Sequence, residues 1–349
     1  MEAGDIDALA EALSTGDRRA LARGITLVES TAPRHRPAAR ALLSQLTARA
    51  DARAAARRIG LSGTPGVGKS SFIEALGSRL IAQGHRVAVL AVDPSSSRSG
   101  GSILGDKTRM ETLARAPQAF VRPSPAGRTL GGVARRTREA IALVEAAGYD
   151  VVLVETVGVG QSETAVAEMT DVFCLLLAPG GGDELQGVKR GIMEIADIVV
   201  INKADGAMKR AAEATQADYQ GALSLLRRRA GDPEGFPKAL TASAMTGDGL
   251  DTVWQALTTL DDWRRDRGWR DERRQAQALT WFRQSLERGL VERLARDVGL
   301  ARQLEVAEAA VAAGRETPDA CAERIVAALR IALAGADVDG DDDAHAGQD

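Results

Sequence analysis

At 349 residues the chain can hold one large α/β domain with extensions or two modest domains, and an apolar fraction of 44% is ample for a core. A formal net charge of −3 leaves no basic excess for nucleic acid, and 3% aromatic residues are too few for a base-stacking platform. No run reaches the roughly twenty apolar residues of a membrane span.

The first twenty residues are acidic and polar, unlike a targeting peptide. Cys174 and Cys321 lie far apart and fit neither a disulfide framework nor a zinc site, so a reducing cytoplasm is expected. Cys174 sits in the apolar run VFCLLLAP and reads as a buried thiol.

In chain order, residues 1–56 read as an N-terminal helical extension. Leu9, Leu13, Leu21, Ile25, Leu42, Leu43 and Leu46 recur at helical spacings, and STAPRHRP at 30–37 breaks the zone into at least two helices. Residues 57–262 alternate β-rich runs with amphipathic stretches, which predicts a doubly wound, mostly parallel α/β sheet. Strands are expected near 57–63, 86–94, 119–125, 150–156, 171–179, 197–205 and 238–244. Several are continuously apolar, as strands covered on both faces are. Residues 263–334 read as a helical arm of two or three long helices with breaks near 299 and 314–319, and the acidic end, 335–349, reads as disordered.

GLSGTPGVGKSS at 60–71 carries the spacing G-x-x-x-x-G-K-S of a P-loop. In Gly63, Thr64, Pro65, Gly66, Val67, Gly68, Lys69, Ser70 and Ser71, backbone N–H groups can turn inward around phosphates. Lys69 reaches the β/γ oxygens, the Ser70 hydroxyl can ligate Mg²⁺, and the helix that follows points its positive end at the anion. VVINKADG at 199–206 supplies Asn202, Lys203 and Asp205 at a strand end. The Asp205 carboxylate can accept two hydrogen bonds from the N1–H and N2–H₂ edge of guanine, which adenine cannot offer. Lys203 would lie over the base, Asn202 would brace the loop, and Ser243, Ala244 and Met245 at the next strand end could offer N–H groups to the guanine O6. Together these motifs read as a GTPase.

VVLVETVGVGQSE at 151–163 delivers Glu155, followed by Gly158, so D-x-x-G reads E-x-x-G. Small GTPases place a water-orienting Gln directly after that Gly. Here Val159 stands there and Gln161 comes two later, so slow intrinsic turnover is expected. Asp93 ends a predicted strand, a Ser/Gly-rich switch-like tract follows it, and Asp106 and Arg109 come next. Ser70, Asp93, Asp106 and Glu155 are the expected surroundings of Mg²⁺, with Arg109 available to the developing γ-phosphate charge. APGGGDELQGVKRG at 178–191 places Asp183, Glu184, Gln186 and Lys189 at the same sheet edge, where a loop can report the γ-phosphate to a partner.

The blocks GTPGVGKSSFIEALG, VLAVDPSSSRSGGSILGDKTRM, VRPSPAGRTLGGVARRTREAI, VETVGVGQSE, LAPGGGDELQGVKRGIMEIADIVVINKAD and TASAMTGDG together resemble the MeaB/ArgK family of GTPases. The resemblance covers residues 5–330. It implies a SIMIBI-type P-loop fold with a C-terminal arm used for homodimerisation. It also implies a chaperone of methylmalonyl-CoA mutase or a related B12-dependent acyl-CoA mutase, which gates admission of adenosylcobalamin and excludes inactivated cofactor, coupled to GTP. By the same resemblance, Gly63–Ser71 hold phosphates, Asp205 with Ser243–Met245 hold guanine, and Asp93, Asp106 and Glu155 take magnesium and switch positions. The 180–190 loop matches the partner-responsive switch.

Three other readings compete. A metallochaperone GTPase would need clustered Cys or His ligands, and His35, His85 and His345 are scattered. A phosphotransferase would need an acceptor-side catalytic loop, which the chain does not show. A nucleotide-gated binding module would differ mainly in rate. On the arm, Leu279, Phe282, Leu286, Leu290 and Leu294 recur at helical spacings near Trp263, Trp269 and Trp281, a face most simply buried on a second copy.

Overall fold

The structure is a computed structural model that describes residues 3–49, 56–92, 110–123, 130–156, 162–180, 190–226 and 229–338. They form two compact units, Met1–Arg274 and Gln275–Asp349.

The first unit opens with three helices, α1 (Ala3–Ser14), α2 (Arg18–Glu29) and α3 (Arg36–Ala48). The break between α1 and α2, unmarked in the sequence reading, is made by Asp17. Its carboxylate accepts from the N–H groups of Arg19 and Ala20 at 2.7 and 2.8 Å, satisfying two orphan donors of α2. Ile6, Leu9 and Leu13 of α1 are buried with Leu21, Ile25 and Val28 of α2 and Leu42 and Leu46 of α3, the spacing of one apolar face per helix.

Seven strands follow, one in each predicted run: β1 (Arg57–Gly63), β2 (Val87–Val92), β3 (Ala119–Arg122), β4 (Val151–Thr156), β5 (Val172–Leu177), β6 (Ile198–Ile201) and β7 (Lys238–Thr241). They form a single parallel sheet in the order β3-β2-β4-β1-β5-β6-β7. The connecting helices are α4 (Lys69–Ala82), α5 (Glu111–Arg115), α6 (Leu130–Ala146), α7 (Ser162–Ala167), α8 (Arg190–Ile195), α9 (Lys209–Ser224) and α10 (Leu250–Asp266). β2, β4, β5 and β6 are buried at every residue, which is why they read as unbroken apolar runs. Cys174 lies inside β5 as a free thiol, and burial pushes it well above the usual thiol range.

Several strands are shorter than the sequence reading. β6 stops at Ile201 because the next residues leave the sheet: Lys203 has φ +60, a left-handed conformation that no strand accommodates. β7 stops at Thr241, before the turn at Ser243. The sheet changes direction around β1, which pairs with β4 on one side and β5 on the other. The carboxyl ends of these strands are where an open α/β sheet places ligands.

The opposite, amino-terminal edge is held by buried charge. Asp171, ahead of β5, accepts from Arg274 at 2.6 and 2.8 Å and from the Arg58 N–H at 2.9 Å. Arg264 of α10 donates to Asp197 at 2.7 Å, to Asp232 at 2.6 and 2.8 Å, and to the Asp171 carbonyl at 2.9 Å. Asp197 also accepts from Arg229 and, at 2.7 Å, from the Phe173 N–H.

The polypeptide continues through α11 (Trp269–Arg296), α12 (Val298–Ala312) and α13 (Pro318–Val338). In the second unit Ala307, Cys321 and Ile325 form a small core with Leu294, Leu304 and Val311 packed against it. Leu294 therefore faces inward, apart from the rest of the leucine stripe. Of the acidic end, 339–349 lie outside the described residues.

Candidate active site

The loop after β1 is shaped by two glycines. Gly63 has φ +157, and a Cβ there would stand 2.3 Å from the Leu176 carbonyl of the neighbouring strand. Gly68 has φ +89, and its Cβ would lie 2.9 Å from Asn202 Nδ2. Any side chain at either position would push the loop off its neighbours. Lys69 opens α4 and is buried, its ammonium donating to the carbonyls of Gly63 at 2.7 Å and Thr64 at 3.2 Å. Burial pulls the Lys69 ammonium below the ordinary lysine range, while the Glu155 and Glu163 carboxylates act in the opposite direction.

Ser70, one residue on, donates to Glu155 Oε1 at 3.4 Å. Glu155 pairs in register with Leu61, so β4 carries its carboxylate to the foot of the loop. A hydroxyl and a buried carboxylate side by side are the hard oxygen donors that suit Mg²⁺. Among the described residues no cluster of three or more His, Cys, Asp or Glu side chains fits a metal ion. Below this pair Thr156 donates to Ser62 at 2.9 Å, a buried hydroxyl contact that ties β4 to β1 and has no motif signature.

The N-K-x-D loop meets the P-loop directly. Asn202 is buried and donates to the Val67 carbonyl at 2.9 Å, and its Oδ1 accepts from the Ala244 N–H at 3.2 Å. Lys203 crosses to the Gly66 carbonyl at 2.7 Å. Asp205 precedes a 3₁₀ turn (Gly206–Met208) without capping it, and its carboxylate accepts from the Ser243 hydroxyl instead. Ser243 Oγ in turn accepts from the N–H groups of Met245 at 3.2 Å and Thr246 at 3.1 Å. The N–H groups of Ala244 and Met245, expected to face a base, are thus engaged within the loop. The Asp205 carboxylate is only half-buried.

The structure therefore brings Gly63, Thr64, Gly66, Val67, Gly68, Lys69, Ser70, Glu155, Asn202, Lys203, Asp205, Ser243, Ala244 and Met245 to one edge of the sheet. Asp93, Asp106, Arg109, Gln161, Asp183, Glu184, Gln186 and Lys189 lie outside the described residues. One group absent from the sequence reading joins the site. Glu163, in the first turn of α7, is 5% exposed, and its Oε2 has no hydrogen-bond partner among the described residues. Its only signal in the sequence is an acidic residue eight positions after Glu155, which by itself looks like a favourable helix start.

Comparison with known proteins gives one answer. The family described as "Methylmalonyl Co-A mutase-associated GTPase MeaB" matches residues 21–298. A putative GTPase of Caulobacter vibrioides is 51% identical over 328 residues, 93% of this chain and 98% of the relative. The mitochondrial methylmalonic aciduria type A homolog of Mus musculus is 46% identical over 332 residues, 93% of this chain and 80% of the relative. The crystal structure of LAO/AO transport system kinase superposes with a TM-score of 0.72 at 36% identity, covering 95% of this chain and 99% of that one. With a seven-stranded parallel sheet, a glycine-shaped phosphate loop and an N-K-x-D loop bonded to it, the chain belongs to the MeaB family of GTPases and hydrolyses GTP with Mg²⁺.

Proposed function

We propose that this GTPase is the chaperone of a B12-dependent acyl-CoA mutase, with methylmalonyl-CoA mutase as its client in the cytoplasm. Binding and hydrolysis of GTP would time the loading of adenosylcobalamin and protect the loaded mutase. The observation that carries the client is the match of residues 21–298 to a family described by its association with that mutase.

In this reading the P-loop N–H groups take the phosphates, and Lys69 exchanges the carbonyls of Gly63 and Thr64 for the β/γ oxygens. Ser70 and Glu155, with Asp93 and Asp106, hold Mg²⁺, which neutralises charge on the phosphates. Asp205 selects guanine, Lys203 covers it, and Ser243–Met245 line the base side. Arg109 and Gln161 serve the γ-phosphate and its water, and Asp183, Glu184, Gln186 and Lys189 form the loop that responds to the mutase.

The test is steady-state phosphate release by the purified protein, alone and with methylmalonyl-CoA mutase. Slow basal hydrolysis that rises about tenfold or more with mutase is expected, a modest factor beside that of an arginine finger. A basal rate indifferent to mutase would remove this client.

The helical arm is the proposed homodimer contact. Leu279, Phe282, Leu286 and Leu290 fall on one face of α11 and are 42–64% exposed, a stripe that water disfavours. Phe282→Asp together with Leu286→Asp should weaken the dimer at least about thirtyfold, the scale of a lost hot spot. Multi-angle light scattering should then give a monomer at micromolar concentration, with GTP turnover per chain unchanged. A parent protein already monomeric there would sink the contact.

A further inference from the structure

Glu163 is a buried carboxylate with an unused acceptor atom in a site whose reaction supplies a donor. α7 begins at the carboxyl edge of the sheet, directly after β4, and runs back across β1, β4 and β5. Its Val166 lies against Gly60 of β1, where an added Cβ would stand 2.8 Å from Val166 Cγ1. Glu163 is three residues earlier on the same face, about 4.5 Å towards the carboxyl edge at 1.5 Å per residue. On β1, at about 3.3 Å per residue, that distance covers one to two residues beyond Gly60 and stops short of Gly63. The glutamate side chain itself must span the rest of the way towards the phosphate loop, whose Gly63 and Thr64 carbonyls hold the Lys69 ammonium. The attraction between Lys69 and Glu163 is consistent with this placement.

A helix-start glutamate serving only the helix would be solvated or bonded to a first-turn N–H. Among the described residues Glu163 Oε2 is neither. A buried carboxylate oxygen without a donor is costly, and such a group persists where a functional state supplies its partner.

We propose that Glu163 accepts a hydrogen bond from the water that attacks the γ-phosphate and orients it for in-line displacement. In that step the water oxygen forms the new bond to phosphorus, and the bond from phosphorus to the bridging oxygen breaks. Its electron pair leaves with GDP, and the proton lost by the water goes to the released phosphate. Glu163 directs the water's O–H and is not consumed. Glu163 would thereby share with Gln161 the role that Val159 cannot fill in the position where small GTPases carry Gln. The inference rests on reading the P-loop as the γ-phosphate cradle, and nucleotide affinity reports on that reading separately.

The experiment compares Glu163→Ala and Glu163→Gln with the parent in three measurements: affinity for fluorescent GDP and for GTPγS, single-turnover GTP hydrolysis, and formation of the GDP–aluminium fluoride complex. For Glu163→Ala, both affinities should stay within about threefold while hydrolysis falls about a hundredfold, the lower range for a lost acid–base group. The aluminium fluoride complex, which needs an ordered in-line water, should not form. Glu163→Gln keeps an acceptor oxygen without the charge and should lose only about tenfold. If the alanine variant fails to fold, the glutamine variant decides, with its circular dichroism spectrum and GDP affinity as the check on folding. Hydrolysis by Glu163→Gln equal to that of the parent, or a loss that merely tracks weakened nucleotide affinity, would overturn the proposal. Failure of the parent to bind GTP would overturn the cradle reading instead.

Discussion

Asp205→Asn is expected to weaken GTP binding by about a hundredfold or more while leaving the fold intact. The carboxylate offers two acceptor oxygens, and guanine presents two donors on its N1–N2 edge. The amide replaces one acceptor with a donor, so one guanine N–H meets another N–H, an opposition that costs more than a missing bond. The fold survives because the remaining amide oxygen still accepts from the Ser243 hydroxyl, the contact Asp205 makes in the structure. Asn202 and Lys203, which bond the loop to Val67 and Gly66, are untouched. Xanthine carries a carbonyl where guanine carries its amine, so the variant should prefer xanthosine triphosphate. Competition of GTP, ATP and xanthosine triphosphate against a fluorescent nucleotide checks this. A uniform loss for all three would show that Asp205 holds the loop and does not read the base.

The largest expected effect on stability comes from the far edge of the sheet. Asp197→Ala should destabilise the protein by about 3–5 kcal/mol, the range for breaking a buried ion pair from one side. Asp197 is fully buried and answers three donors: Arg264, Arg229 and the Phe173 N–H. Removing it leaves a shortfall at the buried Arg264, which keeps only Asp232 and the Asp171 carbonyl. Arg229→Ala should cost much less, since that side chain reaches solvent.

The pH dependence has a definite sign. Burial opposes ionisation of Asp197, but Arg264, with Arg273 and Arg229, outweighs it and holds the carboxyl below its ordinary 3.8. A depressed carboxyl stabilises the fold fully above the unfolded value and loses that contribution as pH falls through the folded one. Urea midpoints of parent and Asp197→Ala should therefore differ most at neutral pH and converge only below about 3.8. A gap that stayed constant into acid would mean that the charge is not what stabilises the edge. β5 and β6 join this edge to the nucleotide edge, so a loosened Asp197 should also raise the mobility of the Asn202–Asp205 loop.

Much of this protein was written locally. The seven strands could be read because a strand covered on both faces must be apolar at every position, and short runs such as VVLVET and VFCLLL can be little else. The P-loop could be read because a phosphate cradle needs glycine at fixed intervals before a helix that begins with lysine. The helical face of α11 was visible through the spacing of its leucines, yet Leu294 turned inward, because periodicity gives a face and not the neighbour that covers it. Other features needed the chain to be folded. Asn202 reaches the Val67 carbonyl across 135 residues, Ser243 takes the Asp205 carboxylate across 38, and Arg264 gathers Asp171, Asp197 and Asp232 from three separate segments. Glu163 showed least of all: its residue type is ordinary at a helix start, and only its burial, within electrostatic reach of Lys69, makes its carboxylate exceptional. Residue type and spacing decide what a segment can do on its own, whereas the partner of a polar group, and whether water reaches it, depend on which distant segments the sheet brings together.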